Sequence, residues 1–228
     1  MNNSQGNWNK LFKIGGIAAI CSVLLIPIQI FIFISWPPPT EIADWFSLFQ
    51  ESWLLGLLSL DLLYILNNTL ILLVYLALYV ALKQVNESLM AIGFMIGIVG
   101  ATVYYSSNMG FEMLALSNQY AAATSEAAKT MLLTSGQTIM TIYTGTAFDV
   151  YYILNGIALL IMAIVMIQSK VFGKGTSYWG LFAAIIMSIP STAGMIGMVF
   201  ALASLIPWIV FCILIARKLL QLSQLHVK

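Results

Sequence analysis

Charge is what this sequence has least of. Only 7% of its 228 residues are Asp, Glu, Lys or Arg, while 61% are hydrophobic. A soluble domain carries about 25% charged and about 45–50% apolar residues, so an ordinary soluble globule and a disordered chain are both excluded. Nine Lys and Arg stand against eight Asp and Glu, which leaves no basic field for nucleic acid. Cysteine is nearly absent. Cys21 and Cys212 each lie in an apolar run and no CxxC occurs, so a disulfide framework and a zinc cluster are excluded and both thiols are expected as small packing residues. The only histidine is His226, and one ring near a chain end cannot build a haem, metal or Ser-His site. The chain also lacks Gly-x-Ser-x-Gly, His-Glu-x-x-His and a Gly-rich phosphate loop. The expectation is a non-enzymatic protein with no cofactor and no metal. A lipid-modifying intramembrane enzyme would have only acids and tyrosines for proton transfer.

What is present is long apolar runs, with a mean hydropathy of +0.97. A helix rises about 1.5 Å per residue and the hydrocarbon core is about 30 Å thick, so a span needs roughly 20 mostly apolar residues. The pattern predicts an all-α membrane bundle of six spans, at about 14–36, 61–83, 89–106, 149–168, 178–191 and 194–216. The apolar run of the first span is too long for a signal peptide, and no small-residue cleavage site precedes Trp36-Pro37-Pro38-Pro39. The three prolines form a rigid exit from the bilayer.

Orientation follows from the basic residues. Lys10, Lys13, Lys83, Lys170, Lys174, Arg217, Lys218 and Lys228 fall on one side of this arrangement, and only Lys129 falls on the other. The positive-inside rule then places both termini in the cytoplasm and the protein in the cytoplasmic membrane. The first outer loop, with Glu41, Asp44 and Glu51 and no cation, agrees. Asn86-Glu87-Ser88 has the form of a glycosylation sequon but falls on the inner side. In the outer segments, Trp45, Phe46, Leu48, Phe49 and Trp53 within 41–60 predict a helix lying in the interface. Residues 119–146 predict further external helix, with Glu126 and Lys129 at pairing distance.

An internal repeat stands out. The second span opens Asp61-Leu62-Leu63-Tyr64-Ile65-Leu66-Asn67-Asn68, and the fourth opens Asp149-Val150-Tyr151-Tyr152-Ile153-Leu154-Asn155-Gly156. Each is followed by a terminal lysine, a short polar loop and a helix with an early glycine, Gly93 or Gly180. The repeat unit is a helical hairpin, spans two and three against four and five, in parallel orientation. Asp61 precedes Lys83 by 22 residues and Asp149 precedes Lys170 by 21, or roughly 31–33 Å along a helix, which sets both acids at the outer rim. Asn67 and Asn155 lie about 9 Å deeper.

Asp61, Tyr64, Asn67, Asn68, Asp149, Tyr152 and Asn155, with Glu112 at the outer end of the third span, are therefore the candidate ligand-binding residues. They would line an outward-facing polar cavity between spans two and four that binds or transports a small solute, proton or cation. Two like-charged aspartates facing each other would titrate as a unit. The competing structural reading makes Asp61 and Asp149 helix N-caps and the asparagines interhelical glue. It makes Glu112 a solvated loop acid and assigns Tyr151 and Tyr152 to the outer aromatic belt. Small residues at Gly93, Gly97 and Ala101, and at Ala193, Gly197 and Ala201, form ladders that pack within the chain or support a homodimer. Pro27 and Pro190 are expected to interrupt spans.

Several segments resemble one family. They are Trp36-Pro37-Pro38-Pro39, Leu60-Asp61-Leu62-Leu63-Tyr64, Ser107-Asn108-Met109, Ser117-Asn118-Gln119-Tyr120-Ala121-Ala122, Gly145-Thr146-Ala147-Phe148 and Ile206-Pro207-Trp208. Across nearly the whole chain they resemble the prokaryotic multi-pass membrane proteins grouped as domain of unknown function 4386. That resemblance implies a six-helix inner-membrane protein with no established activity, and it carries no functional residues with it. Besides the lipid bilayer, a structural or regulatory role through partner proteins is the alternative to solute binding.

Overall fold

The computed structural model describes residues 8–224, so His226 and Lys228 lie outside the described residues. Among these residues the chain forms nine helices and no strand: α1 (Asn9–Ser35), α2 (Ile42–Glu51), α3 (Trp53–Ser59), α4 (Leu62–Ser107), α5 (Gly110–Ala122), α6 (Glu126–Tyr143), α7 (Thr146–Gln168), α8 (Lys174–Met187) and α9 (Gly194–Gln224). Four helical stretches are long and apolar enough to cross a membrane: Asn9–Ser35, Leu62–Ala122, Glu126–Gln168 and Gly194–Gln224. The second contains a break within α4. At Asn86 the backbone leaves the helix (φ −157°, ψ 93°), and the Asn86 side chain accepts the Leu89 N–H at 3.0 Å, so it caps the helix that follows. Tyr79 then stacks on Phe94 at 6.0 Å, and a Cβ at Gly97 would sit 2.8 Å from the Tyr75 ring. Contacts mirrored about Asn86 define an antiparallel hairpin. The connection expected between residues 83 and 89 is thus a single capped residue.

The contacts group into two compact units. The first comprises the chain through Leu24, Asn67–Thr102 and everything from Asp149 on. Within it, small residues let helices approach closely. A Cβ at Gly15 would meet Ala77 at 2.6 Å, and one at Gly16 would meet Leu220 at 2.8 Å. Gly93 and Gly97 of the first small-residue ladder lie against Ala158 and Ile161 of α7, and Ala101 is buried. That ladder is therefore occupied inside the chain. Gly197 of the second ladder faces the Pro190 carbonyl. A Cβ at Gly156 would collide with Ser188, and one at Gly180 with Phe211, so α7, α8 and α9 run up and down in turn. These contacts bring Lys83 and the starts and ends of α1, α7, α8 and α9 that carry cations to one end of this unit. There the Lys83 Nζ lies 5.3 Å from the Trp8 ring centroid.

Several boundaries differ from the sequence reading. α7 begins three residues early, at Thr146. α8 spans 14 residues, Lys174–Met187, about 21 Å of helix and shorter than the hydrocarbon core. Its early start follows from Gly173, which takes the N-cap position. Pro190 lies outside the helices, after the Ser188 C-cap, whereas Pro27 and Pro207 lie within α1 and α9. α8 buries Ser177, Gly180, Ala183 and Ala184 and exposes Tyr178, Phe182 and Ile185. Small residues inside and large apolar ones outside invert the soluble pattern and suit a lipid surround.

The second unit comprises Leu25–Leu66 and Val103–Phe148. Its core is Ile42, Trp45, Phe46, Phe49, Leu57, Leu60 and Met113. The first four recur at i, i+3, i+4 and i+7, one helical face. Trp45 and Phe46 are almost fully buried, and Trp53 is the exposed tryptophan of the segment. The aromatic face expected in the bilayer interface therefore packs on protein instead, because α5 and α6 supply an apolar surface for it. A Cβ at Gly136 of α6 would sit 2.6 Å from Ile42. Glu126 and Lys129 pair at 3.3 Å, as their spacing predicts.

Candidate functional site

Asp61 is the one non-glycine among the described residues with a positive φ, at 63° with ψ 29°. The left-handed region is sterically costly for most L-residues, although Asp and Asn tolerate it better than others. The bend is held from outside. Asn108 Nδ2 donates to the Leu60 carbonyl at 2.7 Å, and Leu60 is buried in the unit core. Asp61 occupies the N-cap position of α4, yet its side chain makes no capping bond. The carboxylate instead accepts a hydrogen bond from the Tyr143 hydroxyl and interacts more weakly with Tyr104. This corrects the capping explanation for Asp61. The turn shape aims the side chain away from the N–H groups of α4 and toward α6.

The surroundings are aromatic. Tyr104 meets Tyr64 edge-on at 5.3 Å and Phe148 at 6.3 Å, and Phe148 lies 6.2 Å from Tyr143. Asp61 itself keeps some exposed surface, but protein encloses its carboxylate. Burial pushes its pKa up from 3.8 to about 6, against the two phenols, which lower it. Asp61 precedes the apolar segment that begins at Leu62. Among the described residues no basic side chain pairs with it, the one ion pair being Lys129–Glu126. The group can therefore hold a proton or a small cation at near-neutral pH.

The second copy of the motif is arranged differently. Asp149 lies inside the first turn of α7, not at an N-cap, and accepts a hydrogen bond from the Thr192 hydroxyl. An acid there favours the positive end of the helix dipole. Asn67 accepts from Ser22 at 2.5 Å. Asn68 accepts from Tyr151 at 2.8 Å, and Asn155 is buried on the same helix one turn beyond Tyr151. The repeat would pair Asn68 with Gly156, whereas the hydrogen bond sets Asn68 beside Tyr151. The bonded position thus differs by five residues from the repeat's alignment, about 7.5 Å along the helix. Tyr152 stacks edge-on against Tyr151 at 5.5 Å. It is Tyr151, nearly fully buried, that does the bonding, so Tyr151 is not part of an aromatic belt. Glu112 is exposed in the first turn of α5, a solvated acid as the structural reading has it, on a helix and not in a loop.

The domain of unknown function DUF4386 matches residues 11–218. The chain belongs to the DUF4386 family. No curated protein and no solved structure matches it. In this DUF4386 chain, four of the six segments that carried the resemblance make contacts within the second unit, whereas Ile206-Pro207-Trp208 belongs to the first. Asn108 holds Leu60, and Ser117 donates to the Phe46 carbonyl at 2.8 Å while receiving a bond from Gln50 at 2.8 Å. Phe148 lies against Tyr104 and Tyr143. Tyr104, Tyr143 and Thr192 were not among the residues expected from sequence. The Tyr104-Tyr105 pair could have drawn notice, but nothing local links Tyr143 to an acid 82 residues away.

Proposed function

We propose that this DUF4386 member is a six-span, non-enzymatic protein of the cytoplasmic membrane, with both termini inside, that takes up a proton or small cation at Asp61 from the outer side. The observation that carries this reading is an enclosed carboxylate with two phenols and, among the described residues, no basic partner. A structural cap needs neither the enclosure nor the left-handed backbone, and strained residues held by their surroundings concentrate at functional sites. The two hairpins, about Asn86 and between α7 and α8, support reading α4 as two passages and α8 as one. The gathering of cations at one end of the first unit supports the orientation.

The test is proton uptake by purified protein in detergent, titrated through pH 4–8 beside Asp61→Asn. The wild type should bind one more proton with a midpoint near 6, and adding sodium, potassium or a small organic ammonium should displace it if a cation shares the site. Identical titrations for the two proteins would end the proposal.

A further inference from the structure

A second polar group lies within the first unit, where the first half of α4, its second half and α7 pack together. Gly93 and Gly97 of α4 approach Ala158 and Ile161 of α7 there, and a Cβ at Gly100 would sit 3.3 Å from Asn155 Nδ2. Asn68 and Asn155 are 4% and 6% exposed, so bulk solvent does not serve them. The amide nitrogens of both have no acceptor among the described residues. Asn68 has one partner, the Tyr151 hydroxyl at its Oδ1. Turning the Asn68 amide over would set its nitrogen against Tyr151 and leave its oxygen alone instead. Leaving such groups unpaired inside a membrane protein is costly, and a leucine in either place would carry no such cost.

The missing partner is therefore an acceptor that the chain does not supply. As the amides stand, the unpaired groups are donors, which do not suit a cation, and water, which both donates and accepts, serves Asn68 in either orientation. An anion would lack a counter-charge. Asn155 stands 15 residues before Lys170 on the same run, about 22 Å along the helix, and a buried anion without a partner is strongly unfavourable. A neutral acceptor remains, and the smallest is water, which typically satisfies buried polar groups of this kind. We propose that Asn68 and Asn155 hold internal water between α4 and α7, making this interior a hydrated polar site inside the membrane-embedded part of the protein. This inference is independent of Asp61.

Hydroxyl-radical footprinting by X-ray pulse on the full chain in detergent tests it, because radicals born from a held water label the aromatic ring beside it. Tyr151 and Phe211 are both buried, but only Tyr151 adjoins the amides. The expected result is Tyr151 labelling several-fold above that of Phe211, falling to the Phe211 level in Asn68→Leu/Asn155→Leu. Equal labelling of Tyr151 and Phe211 in the wild type overturns the proposal without any variant. The single substitution Asn155→Leu gives a second readout through thermal stability. A held water makes it neutral or destabilising, whereas a dry, unpaired amide makes it clearly stabilising, which would also overturn the proposal.

Discussion

The environment of Asp61 makes a quantitative demand on stability as a function of pH. Its carboxyl is shifted from 3.8 to about 6 by burial, with the Tyr143 and Tyr104 hydroxyls opposing. The folded protein thus binds this proton more tightly than the unfolded chain does. By linkage, the folded state is favoured most below the unfolded value and loses that advantage as pH rises from about 4 to about 6. A shift of two units corresponds to ~3 kcal/mol at most, since one unit is about 1.4 kcal/mol. Asp61 keeps some surface in contact with solvent, so screening reduces the effect to roughly 1–3 kcal/mol. Asp61→Asn removes the titration while keeping a side chain that tolerates the left-handed backbone. Unfolding of both proteins in the same detergent should be followed from pH 4 to pH 7. Other titrating groups cancel in the difference, so Asp61→Asn should gain on the wild type through this window and then hold its gain. Tyr143→Phe removes a bond that lowers the pKa and should move the window upward. Parallel curves for wild type and Asp61→Asn, or a wild type that gains on Asp61→Asn as pH rises, would refute the reasoning.

Other outcomes follow from the same contacts. Asp61→Ala should be less stable than Asp61→Gly by about 1–2 kcal/mol, because alanine bears the left-handed penalty and glycine does not; chemical denaturation of the two variants at pH 7 measures it. Gly97→Ala should cost roughly 1–3 kcal/mol as its new methyl presses on the buried Tyr75 ring at 2.8 Å. Gly175→Ala, inside α8 with nothing within 4 Å, should be neutral or stabilising by up to about 1 kcal/mol, with chemical denaturation measuring both glycine variants. For topology, cysteines placed at the exposed positions Glu126 and Lys174 should differ toward an impermeant maleimide on intact cells. The first should react from outside and the second only after permeabilisation, and the reverse pattern would invert the orientation.

The helices themselves were legible because lipid forces backbone groups to pair within each helix, so long apolar runs can do little else. The Glu126–Lys129 pair and the close approaches at Gly93 and Gly97 were legible for a related reason. They depend on spacing along one helix face, which sequence carries directly. The amphipathic run from Ile42 to Phe49 was read correctly as a helix and wrongly as one facing the interface. Its periodicity reports that one face is apolar, not whether lipid or α5 and α6 will cover it. The Tyr143–Asp61 bond was invisible for a stronger reason. It joins residues 82 apart through the bend at Leu60 and Asp61, and that bend depends on Asn108, itself 48 residues from Leu60.

The two copies of the motif show how far identity of sequence falls short of identity of site. Asp61 and Asp149 head nearly the same heptapeptide, yet one sits in a left-handed turn before its helix and the other inside a helical first turn. Asp149 accepts a hydrogen bond from an exposed threonine hydroxyl and lies in the first turn of its helix. Asp61 has phenols for partners and protein around it, so its charged form is costly. A duplicated unit that used both acids alike would be expected to keep both in one environment. The divergence instead leaves the Asp61 copy with an enclosed carboxylate, in a left-handed turn braced by Asn108. The testable consequence is asymmetry: Asp149→Asn should leave the proton titration near pH 6 in place, and Asp61→Asn should abolish it. Loss of that titration in both variants would restore the two acids to a single coupled site.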